Sequence, residues 1–104
     1  MPSIADLERL LELAPEDAFI YYGLAQEYFK LGQNDEAIAQ YDKCLERDSN
    51  YIYAYYHKAK AQDAAGDLGG AKISLESGMK SAQAIDDSHA YGELCEYLAD
   101  IESR

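Results

Sequence analysis

Apolar residues recur three and four positions apart along almost the whole chain, and the strict alternation of a half-buried strand is absent. Leu7, Leu10, Leu11 and Leu13 form a first stripe, opened by Ser3 and Asp6 as a capping pair and stopped at Pro15. Asp17 caps a second helix reaching about Leu31, with Tyr21, Leu24, Ala25 and Tyr28 on one face; Gly32 breaks it. Asn34 opens a third, to about Arg47, and Asp35 and Glu36 suit the positive end of its dipole.

Asp48-Ser49-Asn50 is a polar break with a cap for a fourth helix, from about Ile52 to Ala65. Gly66-Asp67 ends that helix and caps a fifth, from about Leu68 to Ala84. The pair Gly69-Gly70 weakens its first turn by roughly 1 kcal/mol per Gly relative to Ala. After the break Asp86-Asp87-Ser88, a last helix from about His89 to Glu102 puts Tyr91, Leu94, Leu98 and Ile101 on one stripe. The pattern predicts an all-α array of about six helices with short connections.

Comparing each residue with the one 34 positions later exposes an internal repeat. Tyr21 matches Tyr55, Tyr22 matches Tyr56, Ala25 matches Ala59, Gly32 matches Gly66 and Ala37 matches Ala71. Leu7, Tyr41 and Leu75 form one column at this offset; Leu11, Leu45 and Met79 form another. A helix–turn–helix period of this length resembles the tetratricopeptide repeat. Tyr21, Leu24, Ala25, Tyr28, Gly32, Ala37, Tyr41 and Cys44 follow that family's pattern, with Ser49 where it has Pro. The next unit supplies Tyr55, Ala59, Gly66, Ala71, Leu75 and Gly78 but departs at Lys58 and Gln62, where the family prefers Leu and Tyr.

The resemblance implies a right-handed superhelical array of antiparallel helix pairs, with small residues where helices approach most closely. It divides a single domain, 1–104, into a half repeat at 3–14, repeats at 18–51 and 52–85, and a capping helix at 88–103. It also implies a concave groove lined by the first helix of each repeat: Phe19, Tyr22, Gln26 and Phe29, then Tyr53, Tyr56, Lys60 and Asp63. Rigid aromatic side chains suit such a groove for gripping a peptide or partner helix at low entropic cost. Some members of the family clamp C-terminal carboxylates of chaperones with Lys, Arg and Asn. Tyr22, Gln26 and His57 stand at clamp positions here, so a chaperone adaptor is not expected.

Twenty acids against nine bases give a net charge of −11. Such a chain offers no basic stripe to phosphates or to an anionic bilayer, so neither nucleic acid nor membrane is an expected partner. No apolar run approaches the roughly 20 residues of a membrane span, and the opening Met1-Pro2-Ser3 lacks the order of a signal peptide. A cytoplasmic location follows as the expectation. Cys44 fills a small-residue position and Cys95 lies beside the last stripe; two cysteines this far apart make neither a disulfide framework nor a metal knuckle. His57 and His89 have no partner at catalytic or ligand spacing, and Asp86-Asp87-Ser88-His89 reads as a turn with a helix cap. No catalytic residue, metal or cofactor is expected. The predicted function is non-enzymatic protein–protein interaction through the groove. The alternative is homo-oligomeric assembly, a homodimer through the last helix or the groove.

Overall fold

Helix boundaries in this chain are set by local hydrogen bonds that recur one repeat apart. In the computed structural model, which describes residues 2–104, six helices follow in order and no strand occurs among the described residues. They are α1 (Ile4–Leu13), α2 (Ala18–Lys30), α3 (Asn34–Arg47), α4 (Ile52–Ala64), α5 (Leu68–Ala84) and α6 (Ser88–Glu102). Ser3 and Asp6 form a reciprocal capping box at the start of α1. The carboxylates of Asp17, Asp67 and Asp87 accept from the backbone N–H of Phe19, Gly70 and Ala90 at 2.9–3.0 Å, opening α2, α5 and α6. The expected cap for α4 is absent: Tyr51 stands at that position without a side-chain bond. The Asp48 carboxylate instead accepts from Asn50 N–H at 3.0 Å, and the Ser81 hydroxyl donates to Asn50 Oδ1 at 2.6 Å, tying the loop to α5.

Three helices end alike. Gly32, Gly66 and Asp86 sit in the left-handed region at φ 75°, 85° and 59°. The next N–H in each case reaches back to a carbonyl five residues earlier: Gln33 to Tyr28, Asp67 to Gln62 and Asp87 to Ala82. The tyrosines at the front of the repeat have an equally regular task. Tyr21 donates its hydroxyl to the carbonyl of Pro15 and Tyr55 to that of Ser49, each at 2.9 Å. Both bonds hold the incoming loop against the helix it feeds.

Each helix packs against its chain neighbours, and α2, α4 and α6 also meet along one side of the stack. Two core clusters do most of the joining. One gathers Tyr21, Ala25, Ala37, Tyr41, Cys44, Ala54 and Ala61. The other gathers Ile52, Ala59, Ala71, Leu75, Ala82, Ala90, Leu94 and Ile101. Small residues fall at the closest approaches, as expected: Ala25, Ala37, Cys44, Ala59 and Ala71 are wholly buried. The departures at Lys58 and Gln62 are answered locally. Lys58 Nζ lies 2.6 Å from Asp42, and the Ser74 hydroxyl donates to the buried Gln62 Oε1 at 2.6 Å. The first stripe is only half used, since Leu7 is buried whereas Leu10 and Leu13 face solvent. A helix at the end of a stack has one neighbour, not two.

Glycines in α5 and α6 give opposite expectations. A Cβ on Gly78 would sit 2.8 Å from Tyr55 Cβ and 3.3 Å from Leu94 Cδ1, where α4, α5 and α6 converge. On Gly92 it would meet nothing within 4 Å. Both changes to Ala gain helix propensity of about 1 kcal/mol, but at residue 78 overpacking costs roughly 1–3 kcal/mol. Gly78→Ala is therefore expected to lower the melting temperature and Gly92→Ala to raise it. Equal shifts in thermal melts would show that the helices do not converge on Gly78.

Candidate functional site

The side formed by α2, α4 and α6 carries a continuous run of aromatic rings. Tyr22, half-buried on α2, has its ring centroid 4.9 Å from that of Tyr51, 6.0 Å from Tyr41 and 5.8 Å from His57. His57 lies between the repeats, with the ring of Tyr56 5.3 Å away on its other side. Tyr56 continues to Tyr53 at 6.5 Å and to Tyr97 of α6 at 5.4 Å. Most of these pairs are edge-to-face or tilted, the arrangement that ring quadrupoles favour. Burial, and then the Lys60 ammonium, lower the pKa of His57, so the imidazole between the tyrosines is held neutral.

Polar groups edge the run. The Tyr41 hydroxyl donates to Gln26 Oε1, which joins α2 to α3. Lys60 places its ammonium 5.2 Å from the Tyr56 centroid, a cation–π contact. Asp63 accepts from the Tyr97 hydroxyl and from Arg104, both at 2.8 Å, and Arg104 chiefly holds its pKa below the carboxylate norm. The Tyr53 hydroxyl donates to Glu93 on α6, and that bond pushes its pKa up to about 12. The last helix thus forms one edge of this side through Tyr97, Glu93 and Arg104.

Of the eight residues expected in a groove, Tyr22, Tyr56, Lys60 and Gln26 meet in the aromatic run and its edge. Tyr53 and Asp63 lie where α4 meets α6. Phe29 is half-buried against the first core cluster, whereas Phe19 is 68% exposed. Tyr22 and Tyr56, matched at the repeat offset, are joined through His57, which packs on both rings. Sequence reasoning missed Tyr51, Tyr97 and the bridging role of His57. The repeat offset reaches Tyr97, which falls 34 residues after Asp63 and 68 after Phe29, in the same column.

Beyond Tyr22 the surface opens into an apolar hollow of about 360 Å³ at the α1 end, lined by Leu7, Phe19, Tyr22, Gly23, Gln26 and Lys30 among others. The bases near this side are engaged: Lys30 with Glu27 at 2.9 Å, Arg104 with Asp63 and Asp100, Lys60 over Tyr56. A carboxylate clamp needs several free cations on this face; Lys30 and Arg104 are already paired with carboxylates, which leaves Lys60 alone. Among the described residues no three His, Cys, Asp or Glu side chains gather where an ion would fit, and no helix is long and apolar enough to cross a membrane. Cys44 is a wholly buried free thiol whose pKa burial raises to about 12, which leaves it chemically inert.

The family model for the tetratricopeptide repeat matches residues 18–51. A TPR repeat-containing protein of Pseudomonas aeruginosa is 30% identical over 99 residues, covering 95% of this chain and 94% of that protein. Among solved structures, the TPR2B domain of yeast Sti1 in its pHsp70 complex superposes with a TM-score of 0.89 at 27% identity, over 96% of this chain and 80% of that one. A tetratricopeptide repeat domain protein from Salinibacter ruber, solved by NMR, gives 0.79 at 28% identity, over 86% and 90%.

Proposed function

Because the chain belongs to the tetratricopeptide-repeat family, we propose that it is a non-enzymatic interaction module holding a protein segment on the face of α2, α4 and α6. In this reading residues 3–14 are a half repeat, 18–51 and 52–85 are repeats, and 88–103 cap the array. The observation that carries it is the unbroken aromatic run from Tyr51 through Tyr22, His57 and Tyr56 to Tyr97. Its rings are already packed on one another, so little rotamer freedom is left to lose on binding, and the hydroxyls and Lys60 offer directional contacts at the edge. The similar TPR2B and TPR2AB domains of yeast Sti1 are solved as pHsp70 and pHSP90 complexes. Here the clamp positions hold Tyr22, Gln26 and His57, which favours an aromatic grip over carboxylate capture. Self-association through α6 has less support, because its outward positions Glu96, Asp100 and Glu102 are exposed acids.

Tyr53 is partly exposed, and Lys60 makes no ion pair among the described residues, so both can be cut back without opening the core. Tyr53→Ala with Lys60→Ala is expected to melt near the parent yet hold the partner captured from native lysate at least tenfold more weakly, about 1.4 kcal/mol. Ile73→Ala, on the exposed side of α5, should bind as the parent does. If both variants hold the partner like the parent, the aromatic face is not the binding site.

A further inference from the structure

The repeat places the same helix-receiving slot at three points along the stack, and two of them are filled. The slot on α3 and α4 is lined by Tyr41 and His57 and receives α2: Tyr22 packs on both rings and Gln26 takes the Tyr41 hydroxyl. The slot on α5 and α6 is lined by Leu75, Ala90, Tyr91 and Leu94 and receives α4, whose Ile52, Tyr56 and Ala59 join that cluster. Stepping back 34 residues from Tyr41 and His57 gives Leu7 and Gly23. Those two residues line the hollow of about 360 Å³ on α1 and α2, which no described residue fills.

We propose that this first slot takes one amphipathic, basic α-helix of a partner protein, laid on α1 and α2 as α2 is laid on α3 and α4. The proposal rests on the interaction-module reading and adds a second contact, separate from the aromatic face, whose occupant it names by form and charge. A helix is the occupant because the two equivalent slots each hold one. The slot is roomier than its filled copies, since Gly23 stands where they have His57 and Tyr91, so the guest presents a large apolar residue where α2 presents Tyr22. Leu7 has no hydroxyl to offer, so the position equivalent to Gln26 is apolar too. Charge fixes the guest's outer face. Residues 2–31 hold six acids and two bases, and both bases are spent on Asp6 and Glu27. Glu8 and Glu12 remain exposed on α1 and draw a basic helix, in a chain of net charge −11.

The test uses the full chain and two synthetic helices of about 18 residues, each with Tyr, Leu and Phe at i, i+4 and i+7. One carries Lys at its outward positions and the other Glu. Fluorescence anisotropy is expected to give the Lys-faced helix a Kd on the order of tens of micromolar, weakening as salt rises, and the Glu-faced helix at least tenfold weaker binding. Gly23→Trp should fill the hollow and cut binding of the Lys-faced helix at least tenfold. Phe19→Asp, at the exposed rim, should do the same and serves if the Trp variant fails to fold. Tyr53→Ala with Lys60→Ala should leave this binding within twofold, which separates the slot from the aromatic face. Absence of saturable binding, equal binding of the two helices, or full binding by both Gly23→Trp and Phe19→Asp overturns the proposal. Loss confined to the Tyr53, Lys60 variant assigns the helix to the aromatic face and overturns the slot alone. A parent chain found to be a dimer that Phe19→Asp dissociates gives the slot to a second copy and overturns the partner helix.

Discussion

Tyr41→Ala is expected to remove about 3–5 kcal/mol of stability, the range for truncating a large aromatic in a close-packed core. Tyr41 has no exposed surface and heads the fully buried side chains by volume. It fills the middle of the first core cluster, with the rings of Tyr22 and His57 6.0 and 6.4 Å from its own. Around it lie Ala25, Ala37 and Ala54, which have no rotamers with which to close over a void. A domain of this size is stable by about 5–15 kcal/mol, so the variant sits near the unfolding threshold. Tyr41→Phe keeps the ring and loses only the bond to Gln26, a half-buried amide that water can reach, at about 1 kcal/mol. Urea unfolding of the three proteins measures both steps. An Ala variant within 1 kcal/mol of the parent would mean that α2, α3 and α4 do not share this core.

The array was legible because its rules are local and repeat. Gly32 and Gly66 mark left-handed helix ends, Asp17, Asp67 and Asp87 mark starts, and the columns of Ala and Tyr recur at a fixed offset. What could not be read were contacts made across the stack. Asn50 has the composition of a cap but is recruited by Ser81, 31 residues away. Leu10 and Leu13 have the period of a buried face, yet their exposure depends on a neighbouring helix the described chain does not provide. His57 showed no partner at catalytic spacing because its partners are the rings of Tyr22 and Tyr56, one on each repeat. The same distinction governs the candidate site. Tyr22, Tyr56 and Tyr97 follow the repeat columns onto the aromatic face, whereas the pairing of Asp63 with Tyr97 and Arg104 depends on where α6 docks.

That docking gives the prediction with the largest effect. Deleting Gly92 to Arg104 is expected to abolish the single cooperative melt and bring aggregation. The segment holds Leu94 and Ile101, both buried in the second cluster, and Tyr97 and Leu98, packed against it. Burial of each large apolar side chain is worth about 1.5–3 kcal/mol, so the four together rival the whole stability of the domain. Its loss uncovers Leu75 and Ala82 of α5 in one apolar patch, of the kind that drives association. The segment carries four acids and one Arg, so the remaining chain also loses three of its net negative charges, and with them part of the repulsion between copies. Arg104→Ala alone tests the electrostatic share. Its pairs with Asp63 and Asp100 are substantially exposed and should be worth less than about 1 kcal/mol. Sedimentation and circular dichroism decide the matter: a truncated chain that stays monomeric and melts with the parent would show that the second repeat closes its own core without α6.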